Sequence, residues 1–361
     1  MRLILLTLLS FFGIHKVLAL TLDLPKPTGP YNVGTENIMF SDASRKMLRG
    51  SEKRRWMATL FYPATQSSAQ TYPYMPGTLK DSTVFGVKVL SYAKPQADPF
   101  LGQKFPVIFF IPGRGNERQK YTILCTELAS QGYIVVAMDQ PYVANFVQFP
   151  DATRVTLTLK DAWYLPRDRD YRYQYDDEVI SGAISDIDYV LHHFEDFGKI
   201  SKAMDKNKII LMGHSLGGNV AHIMGFKDPR IKAIVDIDSK ITERSIFGHI
   251  GIPPNSSAKP ILFIRGMMQY QEDVKDQLVK TAKSTTWSPY VQHSAFSDEA
   301  YFAAKISGYR EKSFLETLWC WLLKQGPFFS ATDIKLGTYH VDEWFANYPK
   351  YIVTWLNKTV R

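Results

Sequence analysis

Cysteine is nearly absent from this chain. Only Cys125 and Cys320 occur among 361 residues. That excludes a disulfide-dense secreted scaffold and a Cys-rich metal module. The two cysteines sit in apolar helical stretches, TILCTELAS and LETLWCWLL. One bridge and two buried free thiols are both open on that placement. HExxH and CxxC spacings are missing, and so is a dinucleotide glycine fingerprint, so neither a metal nor any other cofactor is expected. There are no heptads and no fixed-period repeat. After the N-terminus, no uncharged apolar run is long enough for a bilayer.

A large excess of charge of one sign is also missing. Forty-three basic against 35 acidic residues leave a formal +8. That is a weak preference for anionic surfaces and says nothing of fold. The densest basic run, SRKMLRGSEKRR at 44–55, lies between two strand-like segments. It reads as a solvated hairpin tip or as a membrane-facing patch. No nucleic-acid-binding motif stands behind it, so nucleic acid is not an expected partner.

What is present is apolar material: 45% hydrophobic and 14% aromatic residues. A sizeable core follows from that. At the start, Arg2 precedes the apolar LILLTLLSFFGI, and Val17-Leu18-Ala19 offers small residues for cleavage. Residues 1–19 therefore read as a secretory signal, and the expected location is extracellular, or periplasmic in a bacterium. Without Arg2 and Lys16 the charge falls to +6. Residues 20–361 read as one domain with inserted segments near 65–103 and 142–175.

Five short apolar runs set the architecture: KFPVIFFIPG, YIVVAMD, KIILMG, IKAIVDID and KPILFIRG. Such continuous strands suit a sheet covered on both faces. Helical patterns alternate with them, among them YTILCTELASQG, where Gly132 would cap the end, and DDEVISGAISDIDYVLHHF. The alternation predicts an α/β fold with a mostly parallel central sheet and helices on both faces. Ahead of it, ENIMFSD and RRWMATLFYPA predict an antiparallel pair at the N-terminal edge. The stretch around VFGVKVLSYA reads as an inserted loop or short helix.

The run IILMGHSLGGN contains Gly213-His214-Ser215-Leu216-Gly217, a G-x-S-x-G pattern between a strand and a helix. In that setting the pattern is expected to be a nucleophile elbow, with a purely structural strand-to-helix turn as the other reading. The tight turn projects the Ser215 hydroxyl, and Gly213 and Gly217 leave room where a Cβ would clash. A base is then needed. His15 lies in the signal, and His192 and His193 lie in a helix upstream. His214 and His222 are too local to turn back, and His249 falls in the wrong connection. His293 remains, after the strand-like TTWSPYVQ, with His340 as the spare. For the acid, Asp236, Asp238 and Asp273 compete, and Asp238 is favoured because it lies further out at the rim. The oxyanion donors are expected from the Leu216 amide and from Pro112-Gly113-Arg114-Gly115, with Arg114 first and Gly115 as its neighbour.

These residues resemble the secreted platelet-activating factor acetylhydrolases, also called lipoprotein-associated phospholipases. GPYNVGTENIMFSD, FFIPGRG with LASQGYIVVAMD, DKNKIILMGHSLGGN and HSAFSDEAYF carry the resemblance, from Gly29 to about Phe302. It implies an α/β-hydrolase fold and a calcium-independent serine esterase. The implied substrate is a phospholipid with a short or oxidised sn-2 acyl chain. It also implies peripheral contact with a membrane or lipoprotein surface. In that family the acid follows the strand after the elbow helix, the position of Asp238 here. A departure is Pro112-Gly113-Arg114, where the family often carries His-Gly. The aromatics Tyr142, Phe146, Phe149 and Trp163 are expected either to line the entrance or to pack as core. A general carboxylesterase, lipase or polyester hydrolase, a serine peptidase and a non-catalytic binding module are the rival readings. Asn255 and Asn357 head glycosylation motifs.

Overall fold

Strands β1 (Asn32–Lys46) and β2 (Lys53–Ala64) form a long antiparallel hairpin, with Gly34 opposite Tyr62 and Phe40 opposite Trp56. The computed structural model describes residues 21–65, 70–74, 83–84, 87–158, 161, 168–239, 259–266, 283–287, 289, 291–306 and 339–361. The chain continues through β3 (Phe105–Ile111), β4 (Ile134–Met138), β5 (Met204–His214), β6 (Ile231–Ile237), β7 (Pro260–Ile264) and β8 (Lys283–Trp287). Their spatial order is β8-β7-β6-β5-β3-β4-β2-β1, with the two-residue strand Lys94–Pro95 on the outer side of β1. The five pairings from β8 to β4 are parallel, and β2 joins β4 antiparallel. The expected α/β sheet with its antiparallel N-terminal side is what the chain adopts.

All of β3 is buried because the sheet is covered on both faces. Val107, Phe109 and Ile111 join one apolar layer, with helices α2 (Arg169–His192) and α3 (Leu216–Lys227). Ile108 and Phe110 join the other, with α1 (Thr122–Ser130), α4 (Asp298–Ile306) and α5 (Val341–Thr359). Alternate side chains point to opposite layers, so the strands need an apolar residue at every position. Gly132 follows α1 with φ 86°, the left-handed conformation that a C-terminal cap requires.

Three differences from the sequence reading have physical causes. Val87–Ser91, within the stretch read as loop or short helix, is a strand, because it pairs in parallel with Thr21–Asp23 and antiparallel with Tyr72–Pro73. Helix α2 begins at Arg169, earlier than its apolar periodicity suggests, because the Asp168 side chain accepts from the Tyr171 amide and caps it. Helix α5 lies beyond the segments that carried the family resemblance. It docks by Trp344, Tyr348, Ile352 and Leu356, which recur at helical spacing along its buried face.

The basic run at the β1–β2 turn is neither a free cationic tip nor an open patch in its arginines. Arg45 and Arg54 meet Asp186 on α2, Arg49 meets Asp161 and Glu178, and Arg55 meets Asp151. The hairpin thereby buttresses the inserted segment and α2. Met47 and Met57 pack with Ala144, Val147 and Phe149 in a small separate core. Phe149 is thus a packing residue, Phe146 lies under Arg154, and Trp163 lies outside the described residues. Residues 1–19, read from the sequence as a secretory signal, and Asn255, Asp273 and Cys320 also lie outside them. Cys125 is a buried thiol whose pKa burial pushes well up.

Candidate active site

The site is assembled at the C-terminal ends of the parallel strands, where open α/β sheets place their ligands. Strand β5 ends at His214, and α3 starts at Leu216. Ser215 alone makes the turn, with φ 54° and ψ −121°. A non-glycine residue holds that conformation only when its surroundings enforce it. Here the Ser215 amide donates to Ile237 O at 2.9 Å. Two close approaches complete the enforcement. A Cβ on Gly213 would stand 2.1 Å from Gly217 O, and one on Gly217 would stand 2.0 Å from Ile111 O. The Ser215 hydroxyl makes no hydrogen bond of its own among the described residues, which leaves it available to an incoming group.

Asp238 follows β6 and has φ 51°. It is fully buried. Its Oδ1 accepts from the Gly266 amide at 2.5 Å, and its Oδ2 lies 2.6 Å from His293 Nδ1. An ionised carboxylate is acceptor-only, so Nδ1 carries the hydrogen and Nε2 is the nitrogen left to act as a base. The His293 side chain is 37% exposed, so solvent and substrate can reach it. The ring of His214, the residue before Ser215, lies 4.5 Å from the His293 ring. The three sequence-selected residues Ser215, Asp238 and His293 therefore share one rim.

Asp236 lies only two residues earlier but has different partners. It takes Arg265 through two nitrogens at 3.0 and 3.2 Å, His222 Nε2 at 2.6 Å, and both the amide and the hydroxyl of Ser239. Burial alone would raise its pKa, but Arg265 and His222 outweigh burial and hold it well below the usual carboxylate range. The turn at Asp238 separates the two carboxylates, which strand alternation alone would aim alike. His340 precedes α5 on the exposed surface and has no contact with this rim among those resolved.

On the far side of Ser215, the loop after β3 carries Gly113, Arg114 and Gly115. The Gly115 amide is consumed by Val143 O at 2.9 Å. Neither the Arg114 amide nor the Leu216 amide has an acceptor among the described residues. The Arg114 side chain turns away to pair with Asp176 on α2, with its guanidinium 5.3 Å from the centre of the Tyr175 ring. It is held by α2.

Sequence reasoning passed over the residues behind this rim. His214 was set aside as too close to Ser215 to be its base, yet it touches the loop of His293 through Nε2 at 3.1 Å. Tyr121 and Asn116 join it, and no spacing rule relates them. Among the described residues, no group of three or more His, Cys, Asp or Glu is placed to hold a metal. A surface groove of about 900 Å³ lies elsewhere, lined by Arg45, His192, Met224 and Arg230 among others, and contains none of the rim residues.

A profile of the family described as "Platelet-activating factor acetylhydrolase, isoform II" matches residues 18–142. The "Probable 1-alkyl-2-acetylglycerophosphocholine esterase" of Arthroderma benhamiae is 26% identical over 242 residues, covering 60% of this chain. The match spans 58% of that fungal protein's length. The platelet-activating factor acetylhydrolase of Canis lupus familiaris is 26% identical over 321 residues, covering 79% of this chain and 70% of that protein. Among solved structures, the ferulic acid esterase from Streptomyces cinnamoneus superposes with a TM-score of 0.71 at 23% identity. It covers 94% of this chain and 93% of that one, and the likeness places the fold among the α/β-hydrolases.

Proposed function

We propose that the chain is a serine carboxylester hydrolase of the platelet-activating factor acetylhydrolase family, working through Ser215, His293 and Asp238; the profile match over residues 18–142 and the 26% identity to the fungal and canine relatives support the family. The observation that carries this reading is the strained Ser215 turn beside a histidine whose Nδ1 is held by a buried carboxylate. Ser215 Oγ attacks the ester carbonyl while His293 Nε2 takes its proton. Asp238 keeps the hydrogen on Nδ1 and balances the imidazolium. The Leu216 and Arg114 amides receive the oxyanion, and α3 adds its N-terminal dipole. His293 then returns the proton to the leaving alcohol. Water, activated by the same imidazole, releases the acyl group from Ser215.

The substrate of this reading is a phospholipid with a short or oxidised sn-2 acyl chain, in keeping with the names of the fungal and canine relatives. The apolar start at residues 1–19 supports export of the enzyme. Peripheral contact with a lipid surface belongs to the same proposal. The deciding measurement compares hydrolysis of a short-acyl phospholipid with its long-acyl analogue, for wild type and Ser215→Ala. The short chain is expected to be preferred and Ser215→Ala to be inert. A preference for long triglycerides or polymers would move the substrate to a general lipase or polyesterase. An organophosphate that leaves Ser215 unlabelled in folded protein would remove the nucleophile altogether.

A further inference from the structure

We infer that Tyr121 and His214 are positioning residues that fasten the loop carrying His293 to the loop carrying the Arg114 amide. The inference rests on the triad reading above and adds the element that keeps base and oxyanion donor in register.

Chemistry fixes the direction of every bond in the chain. The His293 carbonyl can only accept, so the hydrogen of the 3.1 Å contact sits on His214 Nε2. Burial and the neighbouring His293 hold the His214 pKa well below the usual histidine value, so this imidazole is neutral. Its Nδ1 is then a bare acceptor. The partner at 2.8 Å is the Tyr121 hydroxyl, which must donate. Burial pushes the Tyr121 phenol pKa well up, so that hydrogen is always present. With its one hydrogen used, Tyr121 Oη accepts from Asn116 Nδ2 at 2.9 Å and from the Gly113 amide at 3.4 Å. Donors and acceptors match at each step, and no second arrangement satisfies them all.

The geometry explains the need. Gly113 adjoins the Arg114 amide on the loop after β3, in the interior of the sheet, whereas His293 follows the edge strand β8, four strands away. Strand pairing places the two loops at one rim without setting their distance to within the half ångström that catalysis needs. The Tyr121–His214 bridge spans them directly. Apolar packing holds its rings in place, with Phe110 at 4.6 Å from the Tyr121 ring and Phe296 at 5.8 Å from the His214 ring. A neutral His214 also avoids setting two cations ring against ring, 4.5 Å apart, when His293 takes the Ser215 proton.

The test uses the full chain, four variants of the bridge and one control variant, with kcat and KM read separately on a short-acyl phospholipid. His214→Phe keeps a ring and removes both polar atoms. His214→Gln restores one donor and one acceptor. Misplacing a catalytic group by about 1 Å costs on the order of 100-fold. Tyr121→Phe and His214→Phe are therefore expected to lower kcat by about 10- to 100-fold with KM within about twofold, and His214→Gln to recover most of that loss. Half-buried Asn116 gives a milder probe, and Asn116→Ala is expected to lower kcat by about threefold to tenfold. Wild-type kcat in folded Tyr121→Phe and His214→Phe overturns the bridge, as does equal kcat for Phe and Gln at 214. Should the variants at 121 and 214 not fold, wild-type kcat in Asn116→Ala overturns it. His293→Ala is the control. If it keeps wild-type turnover, the triad itself fails; if it is inert while the bridge variants are normal, only the bridge fails.

Discussion

Replacing Asp238 by asparagine changes one atom and should disable the base. The carboxylate uses one oxygen for the Gly266 amide at 2.5 Å and the other for His293 Nδ1 at 2.6 Å. Asparagine offers only one acceptor. The Gly266 N–H is fixed backbone, so the amide oxygen stays with it and the NH₂ faces Nδ1. Two donors cannot meet, so Nδ1 gives up its hydrogen and Nε2 carries it instead. A protonated Nε2 on a neutral ring cannot accept the Ser215 proton. A triad in the wrong tautomer loses about 10⁴ in kcat, or about 5 kcal/mol of transition-state stabilisation. The fold should survive, because the Gly266 bond is kept and a buried charge is removed; the stability change should stay within about 2 kcal/mol. The assay is steady-state hydrolysis of a short-acyl phospholipid beside thermal unfolding of the same preparation. Folded Asp238→Asn turning over within tenfold of wild type refutes the reasoning. Loss of turnover in Asp273→Asn instead would name the acid that replaces it.

Three further outcomes are expected. Gly217→Ala puts a Cβ 2.0 Å from Ile111 O, backbone that cannot yield, and should cost about 3 kcal/mol or more in urea unfolding together with esterase activity. A wild-type midpoint would mean that the elbow is looser than drawn. Asp186→Ala strands Arg54, whose side chain is 7% exposed, and should destabilise by about 3–5 kcal/mol by the same measurement. A change below about 1 kcal/mol would mark the pair as an ordinary surface contact. Burial pushes the Asp298 carboxyl up to about 7, against the donors Thr122 N, Ile123 N and Tyr74 Oη. A raised folded pKa means that the folded state binds more protons between about pH 4 and 7, so this group's contribution to stability falls as pH rises through that window. The stability of wild type relative to Asp298→Asn should drop by up to about 1.4 kcal/mol per pH unit there and level off above pH 7. A pH-independent difference contradicts the assignment.

The sequence by itself determined what depends on near neighbours. Continuous apolar strands announced a sheet covered on both faces, since any polar position in β3 would be buried in one layer or the other. Gly213, Ser215 and Gly217 announced the elbow, because its steric demands act within five residues. Position along the chain favoured His293 and kept His340 as the spare. The helical spacing of Val341, Trp344, Tyr348, Ile352 and Leu356 was equally present, and went unused because nothing local says what an isolated amphipathic helix covers. Tertiary structure alone decided the rest. Val143 O, folded back from beyond β4, takes the Gly115 amide and leaves that of Arg114. A left-handed turn at Asp238 parts it from Asp236, whose lone pairs Arg265, His222 and Ser239 occupy. Tyr121 and His214 stand 93 residues apart and meet across the sheet. Hydrogen bonds of that kind are set by where whole strands come to rest, and a pattern read along the chain has no access to distances across it.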